Sequence, residues 1–244
     1  MQKLLSYPLT IIFFICFGLA LVIFHPIQWI CLNVFGYNAH KKSVAVLNWT
    51  LMRCTNILGT RYKFENNPQI PTDRPLIIVT NHQSMYDIPP IIWYMRRHHP
   101  KFVSKIELGK GIPSVSYNLR HGGSALIDRK DPKQSISELQ KLGKYIEANK
   151  RSAVIFPEGT RSRTGVPKPF RTTGLKVMIK NAPSALIVPI SINNSWKLLR
   201  FGQFPMGLGS YVKFKVHPPM EIEGNVDELI AKVEKQIVSG VITK

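Results

Sequence analysis

The sequence predicts an α/β fold: a single mixed-sheet domain preceded by an N-terminal membrane-embedded helical segment. Three observations carry this. Six short β-rich runs alternate with helical stretches through the body of the chain, an almost uninterrupted apolar stretch precedes them, and charge is divided sharply between the two regions. With 244 residues, 44% hydrophobic and 19% charged, the chain can bury a substantial core and is not of disordered composition. Its 33 basic and 14 acidic residues give a formal charge of +19, yet up to Phe35 only Lys3 contributes. So basic a body wants an anionic partner: nucleic acid, an anionic membrane face, or phosphorylated and carboxylated substrates.

The apolar head chooses the membrane. From Leu4 to Phe24 only Ser6, Pro8, Thr10 and Gly18 interrupt the apolar residues, and a helix of that length rises about 30 Å, one hydrocarbon thickness. A cleaved signal peptide fits less well, because the run leads into His25-Pro26-Ile27 without a small-x-small site. A second apolar run, Ile27 to Phe35, is too short to span alone, so residues 1–37 read as an anchoring segment with two possible forms, one spanning helix or a re-entrant hairpin. If the first run spans, the lysines and arginines after Phe35 put the body on the cytoplasmic side. Cys16, Cys31 and Cys54 show no CxxC spacing, which argues against a disulfide framework and a zinc site.

Residues 38–244 form the expected body. Val44, Leu47, Leu51, Cys54 and Leu58 recur every three or four residues, an amphipathic helix over 38–58. A breaker-rich link from Asn66 to Pro75 precedes the first strand, Leu76 to Thr80. Further strands are expected at Lys101 to Ser104, Ser124 to Ile127, Ser152 to Phe156, Ala185 to Ser191 and Tyr211 to His217. Asp131 caps a helix with Pro132 at its first position and Ile136, Leu139, Leu142 and Ile146 on one face. A last helix carries Val226, Leu229, Ile230, Val233 and Ile237.

Chemistry gathers where strands end. After the first strand comes Asn81-His82-Gln83-Ser84-Met85-Tyr86-Asp87. On a regular helix, residues five apart point about 140° away from each other, so His82 and Asp87 meet only if His82 lies in the turn before a helix begins. Once paired, Asp87 accepts a bond from one ring nitrogen and leaves the other as a general base. Ser84 is the nearest hydroxyl, but with no G-x-S-x-G elbow in the chain it reads as a turn or cap residue, and the base is expected to activate a substrate hydroxyl. Phe156-Pro157-Glu158-Gly159-Thr160-Arg161-Ser162-Arg163 ends another strand. There Gly159 permits close backbone approach and Arg161 can fork onto phosphate oxygens, so the loop reads as an anion site. Gly122 to Arg129 places a third basic residue after a strand, and Val188-Pro189-Ile190 interrupts a strand with a proline, the pattern of an edge or bulge.

These blocks, in this order, resemble the lysophosphatidate acyltransferases of the glycerolipid acyltransferase family. That family carries an H-x4-D pair, a Gly-to-Arg block, an E-G-T-R-S loop and a late proline block. The resemblance extends from about residue 40 to 220. It implies that His82 is the catalytic base and Asp87 its orienting partner, and that Arg129, Glu158, Gly159, Thr160 and Arg161 bind the glycerol phosphate. It also implies that Lys105 serves the phosphate or the developing oxyanion, and that Pro189 shapes the acyl side of the pocket. Ser124-Ala125-Leu126 departs from the bulkier residues of many members.

The implied reaction moves an acyl group from acyl-ACP or acyl-CoA to the sn-2 hydroxyl of lysophosphatidate at a bacterial inner membrane. The implied partners are that donor, that acceptor and membrane lipids, with no nucleic acid, no cofactor and no metal. Two other readings are weaker: the same fold acylating a lyso-ornithine lipid or lysophospholipid, and a membrane-tethered nucleic-acid-binding protein. The second fails to explain why the arginines follow strands. A metal-dependent hydrolase lacks ligands beyond His82 and Asp87.

Overall fold

A computed structural model describes residues 2–66 and 69–242; Asn67 and Pro68 of the expected link lie outside the described residues. The chain begins with α1 (Gln2–Asn33), one helix that runs through Pro8 and Pro26 and joins both apolar runs. At 32 residues it is about 48 Å long, and by length and composition it could cross a membrane. The chain reverses only after Asn33, where Gly36 takes a left-handed φ of 77°, and α2 (Tyr37–Asn56) packs back along α1.

The body follows as β1 (Arg61–Glu65), β2 (Leu76–Thr80), α3 (Ile88–Tyr94), β3 (Pro100–Lys105), α4 (Val115–His121), β4 (Ala125–Ile127), α5 (Pro132–Asn149), β5 (Ser152–Ile155), α6 (Thr172–Asn181), β6 (Leu186–Asn193), β7 (Tyr211–Val216) and α7 (Val226–Ser239). The strands form one sheet in the order β1-β7-β6-β2-β5-β3-β4. From β6 to β4 the neighbours are parallel; β7 reverses against β6 and carries β1 alongside it, so the sheet is mixed.

Both sheet faces are covered, which is why β2, β5 and β6 are apolar at nearly every position rather than at alternate ones. On one face Ile78, Val154, Val188 and Ile190 pack with Leu58 of the α2 end, with Ile91 and Met95 of the α3 region, and with Phe13 of α1. On the other, Ile77, Val79, Ala153 and Ile187 meet Leu139, Leu142 and Ile146 of α5, Leu175 and Met178 of α6, and Val233 and Ile237 of α7. The α5 start follows the expected cap: Asp131 accepts from Gln134 N at 3.0 Å, with Pro132 first in the helix.

The first helix belongs to the body as much as to its apolar surroundings. Thr10 Oγ1 accepts from Met206 N at 3.0 Å, the Leu21 carbonyl accepts from Ser114 Oγ at 2.6 Å, His25 Nδ1 accepts from Ser114 N at 3.1 Å, and Asn33 Nδ2 donates to Tyr117 at 3.0 Å. Phe13 is fully buried with its ring 5.9 Å from that of Tyr86. The opposite side of α1 exposes Ile11, Ile15, Leu19, Val22, Ile23 and Ile30. Phe13→Ala, measured by denaturant unfolding in detergent, is therefore expected to lower the stability of the whole body by about 3 kcal/mol, the usual cost of emptying a large aromatic site. An unchanged midpoint would show that α1 is only tethered to the body.

Candidate active site

The parallel strands all present their carboxyl ends on one edge of the sheet, and four motif loops leave from that edge: 81–87 after β2, 156–163 after β5, Lys105 at the end of β3 and Arg129 after β4. The β2 exit is fixed first. Asn81 donates from Nδ2 to the Ile192 carbonyl at 2.9 Å and accepts at Oδ1 from Ile192 N at 2.7 Å, extending the β2–β6 ladder with a side chain.

His82 follows outside any helix or strand, and a 3-10 turn, Met85–Asp87, leads into α3. Ser84 caps that turn: its Oγ accepts from Tyr86 N at 3.1 Å and also meets the Ser195 hydroxyl. The turn brings Asp87 back over the loop, where its Oδ2 accepts from Gln83 N at 2.7 Å, Ser84 N at 2.9 Å and His82 Nδ1 at 2.8 Å. Asp87 is fully buried and His82 only 18% exposed. A carboxylate accepts only, so Nδ1 carries the proton and the Nε2 lone pair is left free. The imidazole also stacks on Phe156, with ring centroids 4.1 Å apart and planes inclined by 26°. His82 is thus held by a carboxylate at one nitrogen and a ring on one face, and its other nitrogen has no hydrogen-bond partner among the described residues.

Glu158 has a different task from the phosphate contact the resemblance implied. It is 2% exposed; Oε1 accepts from His82 N at 2.9 Å and Oε2 from Lys168 N at 3.1 Å. Burial pushes its pKa up, and the two backbone bonds oppose that shift. A carboxylate so placed would repel a phosphate; it joins the β5 exit loop to the backbone of the histidine. Ser162 N adds a second tie, donating to the His82 carbonyl at 2.7 Å.

The cationic side chains converge instead from two connections, β4–α5 with Arg129 and β5–α6 with Arg161 and Arg171. Gly159, with φ at 68°, turns the β5 loop, a backbone conformation that favours glycine, and Arg171 Cδ lies at ordinary contact distance, 3.5 Å, from where a side chain there would begin. Arg129 has its pKa drawn down first by burial and then by the nearby Arg171 and Arg161 guanidiniums, with Glu107 opposing. None of the three arginines forms an ion pair among the described residues. Thr160 and Arg161 are exposed at the loop tip, and Lys105 is exposed where β3 ends between β5 and β4. Pro189 is not brought beside His82. It is buried within β6, and strand alternation points it to the face of α5, α6 and α7, opposite a one-residue bulge between β7 and the Ile187–Met220 bridge.

Arg171 is the site residue that sequence reasoning missed; its signal was a third arginine at the start of a helix, twelve residues after Gly159. Among the described residues no three His, Cys, Asp or Glu side chains gather as a metal site would require.

Comparison with known proteins adds the family context. The sequence profile of the acyltransferase family matches residues 61–193. A 1-acyl-sn-glycerol-3-phosphate acyltransferase of Helicobacter pylori is 34% identical over 190 residues, 74% of this chain and 72% of that one. The chloroplast protein of that name from Brassica napus is 28% identical over 156 residues, 64% of this chain but only 43% of its own longer one. The crystal structure of a 1-acyl-sn-glycerophosphate acyltransferase from Thermotoga maritima superposes with a TM-score of 0.76 at 25% identity, covering 98% of this chain and 96% of the other.

Proposed function

The chain belongs to the acyltransferase family that contains the 1-acyl-sn-glycerol-3-phosphate acyltransferases, and from that premise we propose that it acylates the sn-2 hydroxyl of lysophosphatidate to give phosphatidic acid. The observation that carries this reading is the His82–Asp87 pair, its free Nε2 on the same sheet edge as three guanidiniums without carboxylate partners. The arginines suit a phosphate monoester and the histidine a neutral hydroxyl one glycerol away.

In the proposed reaction His82 Nε2 takes the proton of the glycerol hydroxyl as its oxygen bonds to the thioester carbonyl carbon. The tetrahedral intermediate collapses by breaking the C–S bond, and the imidazolium returns the proton to the departing thiolate. Asp87 stabilises the imidazolium without itself taking the proton. Binding both substrates together removes the need for an acyl-enzyme. Lys105 is assigned to the developing oxyanion or the phosphate, an assignment supported by its exposed place at the same edge.

Either acyl-ACP or acyl-CoA fits as donor, since both are acidic and the body is basic. Membrane attachment is assigned to residues 1–37. The hydrogen bonds along α1 favour a helix lying against the body with its outer face in one leaflet, because a helix tied at Thr10, Leu21, His25 and Asn33 cannot leave the body to cross. Exposed Met85, Ile106 and Leu108 on the site loops support a catalytic edge turned toward lipid. The cytoplasmic face of an inner membrane is supported by the charge contrast across Phe35.

Transfer of a labelled acyl group from each thioester to lysophosphatidate in vesicles tests the reading; labelled phosphatidate is expected, and product only with other lysolipids would reassign the acceptor. In the same assay Arg161→Ala should raise the KM for lysophosphatidate about tenfold or more with a smaller change in kcat, the loss of one charge-assisted fork. An unchanged KM would move the phosphate site away from this loop.

A further inference from the structure

At the other end of the sheet a second group of cations has no obvious use in acyl transfer. Lys101 and Arg151 stand at the amino ends of β3 and β5, about one strand length, roughly 15 Å, from the catalytic edge. The first turn of α2 adds Tyr37, His40 and Lys41, and His99 precedes β3. Lys101 is 6% exposed, forms neither a hydrogen bond nor an ion pair among the described residues, and has the Tyr37 ring near its ammonium, 4.9 Å from Nζ to the centroid. Arg151 covers the same ring at 3.9 Å. His40 is 1% exposed with a buried Nε2 that has no partner. No carboxylate lines the pocket.

Such a group is costly unless something offsets it. A buried ammonium needs a counter-charge, and cation–π contact with one ring covers only part of the desolvation. Burial, with Arg151 and Lys41 nearby, pushes the Lys101 pKa down to about 7. The hydrogen-bond pattern also shows what is missing. Lys41 Nζ lies 2.9 Å from His99 Nε2 and Tyr37 Oη lies 2.9 Å from His99 Nδ1. A lysine can only donate, so Nε2 accepts, Nδ1–H donates to the Tyr37 oxygen, and the Tyr37 hydroxyl proton is left free. Lys101, Lys41 and Tyr37 therefore offer unused donors, beside a helix start that has no side-chain cap.

We propose that the pocket between the α1–α2 elbow and the amino ends of β3 and β5 is a second phosphate-binding site, in which Lys101, Lys41, Tyr37 and His40 contact the anion and Arg151 supports it. The ligand class follows from the donors. They come from two elements, α2 and β3, onto a cavity of about 30 Å³, which suits the tetrahedral oxygens of one phosphate group and is too small for a nucleotide. Phosphate could arrive as a free anion or as the headgroup of an anionic lipid. The exposed Trp29, Ile30, Val34 and Phe35, just before the elbow, put the pocket beside the apolar surface of α1, within reach of a headgroup.

The test is thermal unfolding of the full chain, in detergent with inorganic phosphate against chloride at equal ionic strength, and in phosphatidylcholine vesicles with and without phosphatidylglycerol. Native protein, Lys101→Met, Tyr37→Phe and the catalytic-edge control Arg161→Ala are compared. Phosphate or phosphatidylglycerol should raise the midpoint of the native and Arg161→Ala proteins. Lys101→Met should unfold no earlier than native protein without anion, because it removes an uncompensated charge, and should lose the anion-induced rise. Tyr37→Phe, which removes one hydroxyl, should need several-fold more anion. A rise with inorganic phosphate alone identifies a soluble anion as the ligand, and a rise that needs phosphatidylglycerol identifies a lipid headgroup. A rise undiminished by Lys101→Met, or one lost in Arg161→Ala instead, overturns the proposal, as does no rise with either anion. The readout is unfolding, so failure here leaves the acyl-transfer reading untouched.

Discussion

His82→Ala lowers kcat for acyl transfer by about a thousandfold, leaves the protein membrane-bound and folded, and changes the KM for lysophosphatidate little. The expectation follows from where the imidazole makes its contacts. Its Nδ1 is bonded to Asp87 and one face lies on Phe156, so removing it loses one hydrogen bond and one stacking contact of a partly exposed side chain. What disappears is the side chain proposed to take the glycerol proton, and general-base catalysis contributes about 10²–10⁴-fold. The arginines proposed to bind the phosphate come from other loops and stay in place. Rate measurements with lysophosphatidate saturating and then limiting separate the two parameters. A loss confined to KM would make His82 a binding residue, and near-normal turnover would end its assignment as the base.

Much of the fold was legible because buried parallel strands announce themselves. Leu76 to Thr80 is a five-residue apolar run with no alternation, and the structure has it as β2, buried at every position. The Asp131-Pro132 start of α5 was equally plain, since cap chemistry is local. β1 was missed. It is an edge strand with only Tyr62 and Phe64 facing the core and charged residues between them, and it pairs with β7, which lies nearly 150 residues later. The helix α6 was missed too, although Leu175, Met178 and Ile179 have helical spacing, because the glycine at 174 and its short length blur the pattern. Pro26 suggested a break that the structure does not make; α1 continues through it to Asn33, with α2 packed alongside.

The site was legible as motifs but not as contacts. The condition that His82 precede the helix for it to meet Asp87 could be stated from geometry, and the 2.8 Å bond has that arrangement. Which charged side chains face the substrate could not be stated, because it depends on loops brought together from β4, β5 and α6. Arg171, at the start of α6, comes beside the turn at Gly159 and near Arg129. Glu158 leaves the presumed phosphate site because the backbone amides of His82 and Lys168 claim both of its oxygens.

That exchange of roles leads to the second large effect. Glu158→Gln keeps the volume but turns an amide group against one of two part-buried backbone N–H donors, leaving that donor without its protein partner at a cost of about 1 kcal/mol. Loss of the bond to His82 N frees the segment that carries the base, and a shift of about 1 Å there costs roughly a hundredfold in rate. The expected result is a kcat lowered about a hundredfold, a lower unfolding midpoint, and an unchanged KM for lysophosphatidate. This contrasts with Arg161→Ala, for which KM carries the loss. Measuring both parameters for the two variants in one preparation distinguishes the tie from the fork: a raised KM with normal kcat in Glu158→Gln would return that carboxylate to the substrate, and an unchanged unfolding midpoint would remove its structural role.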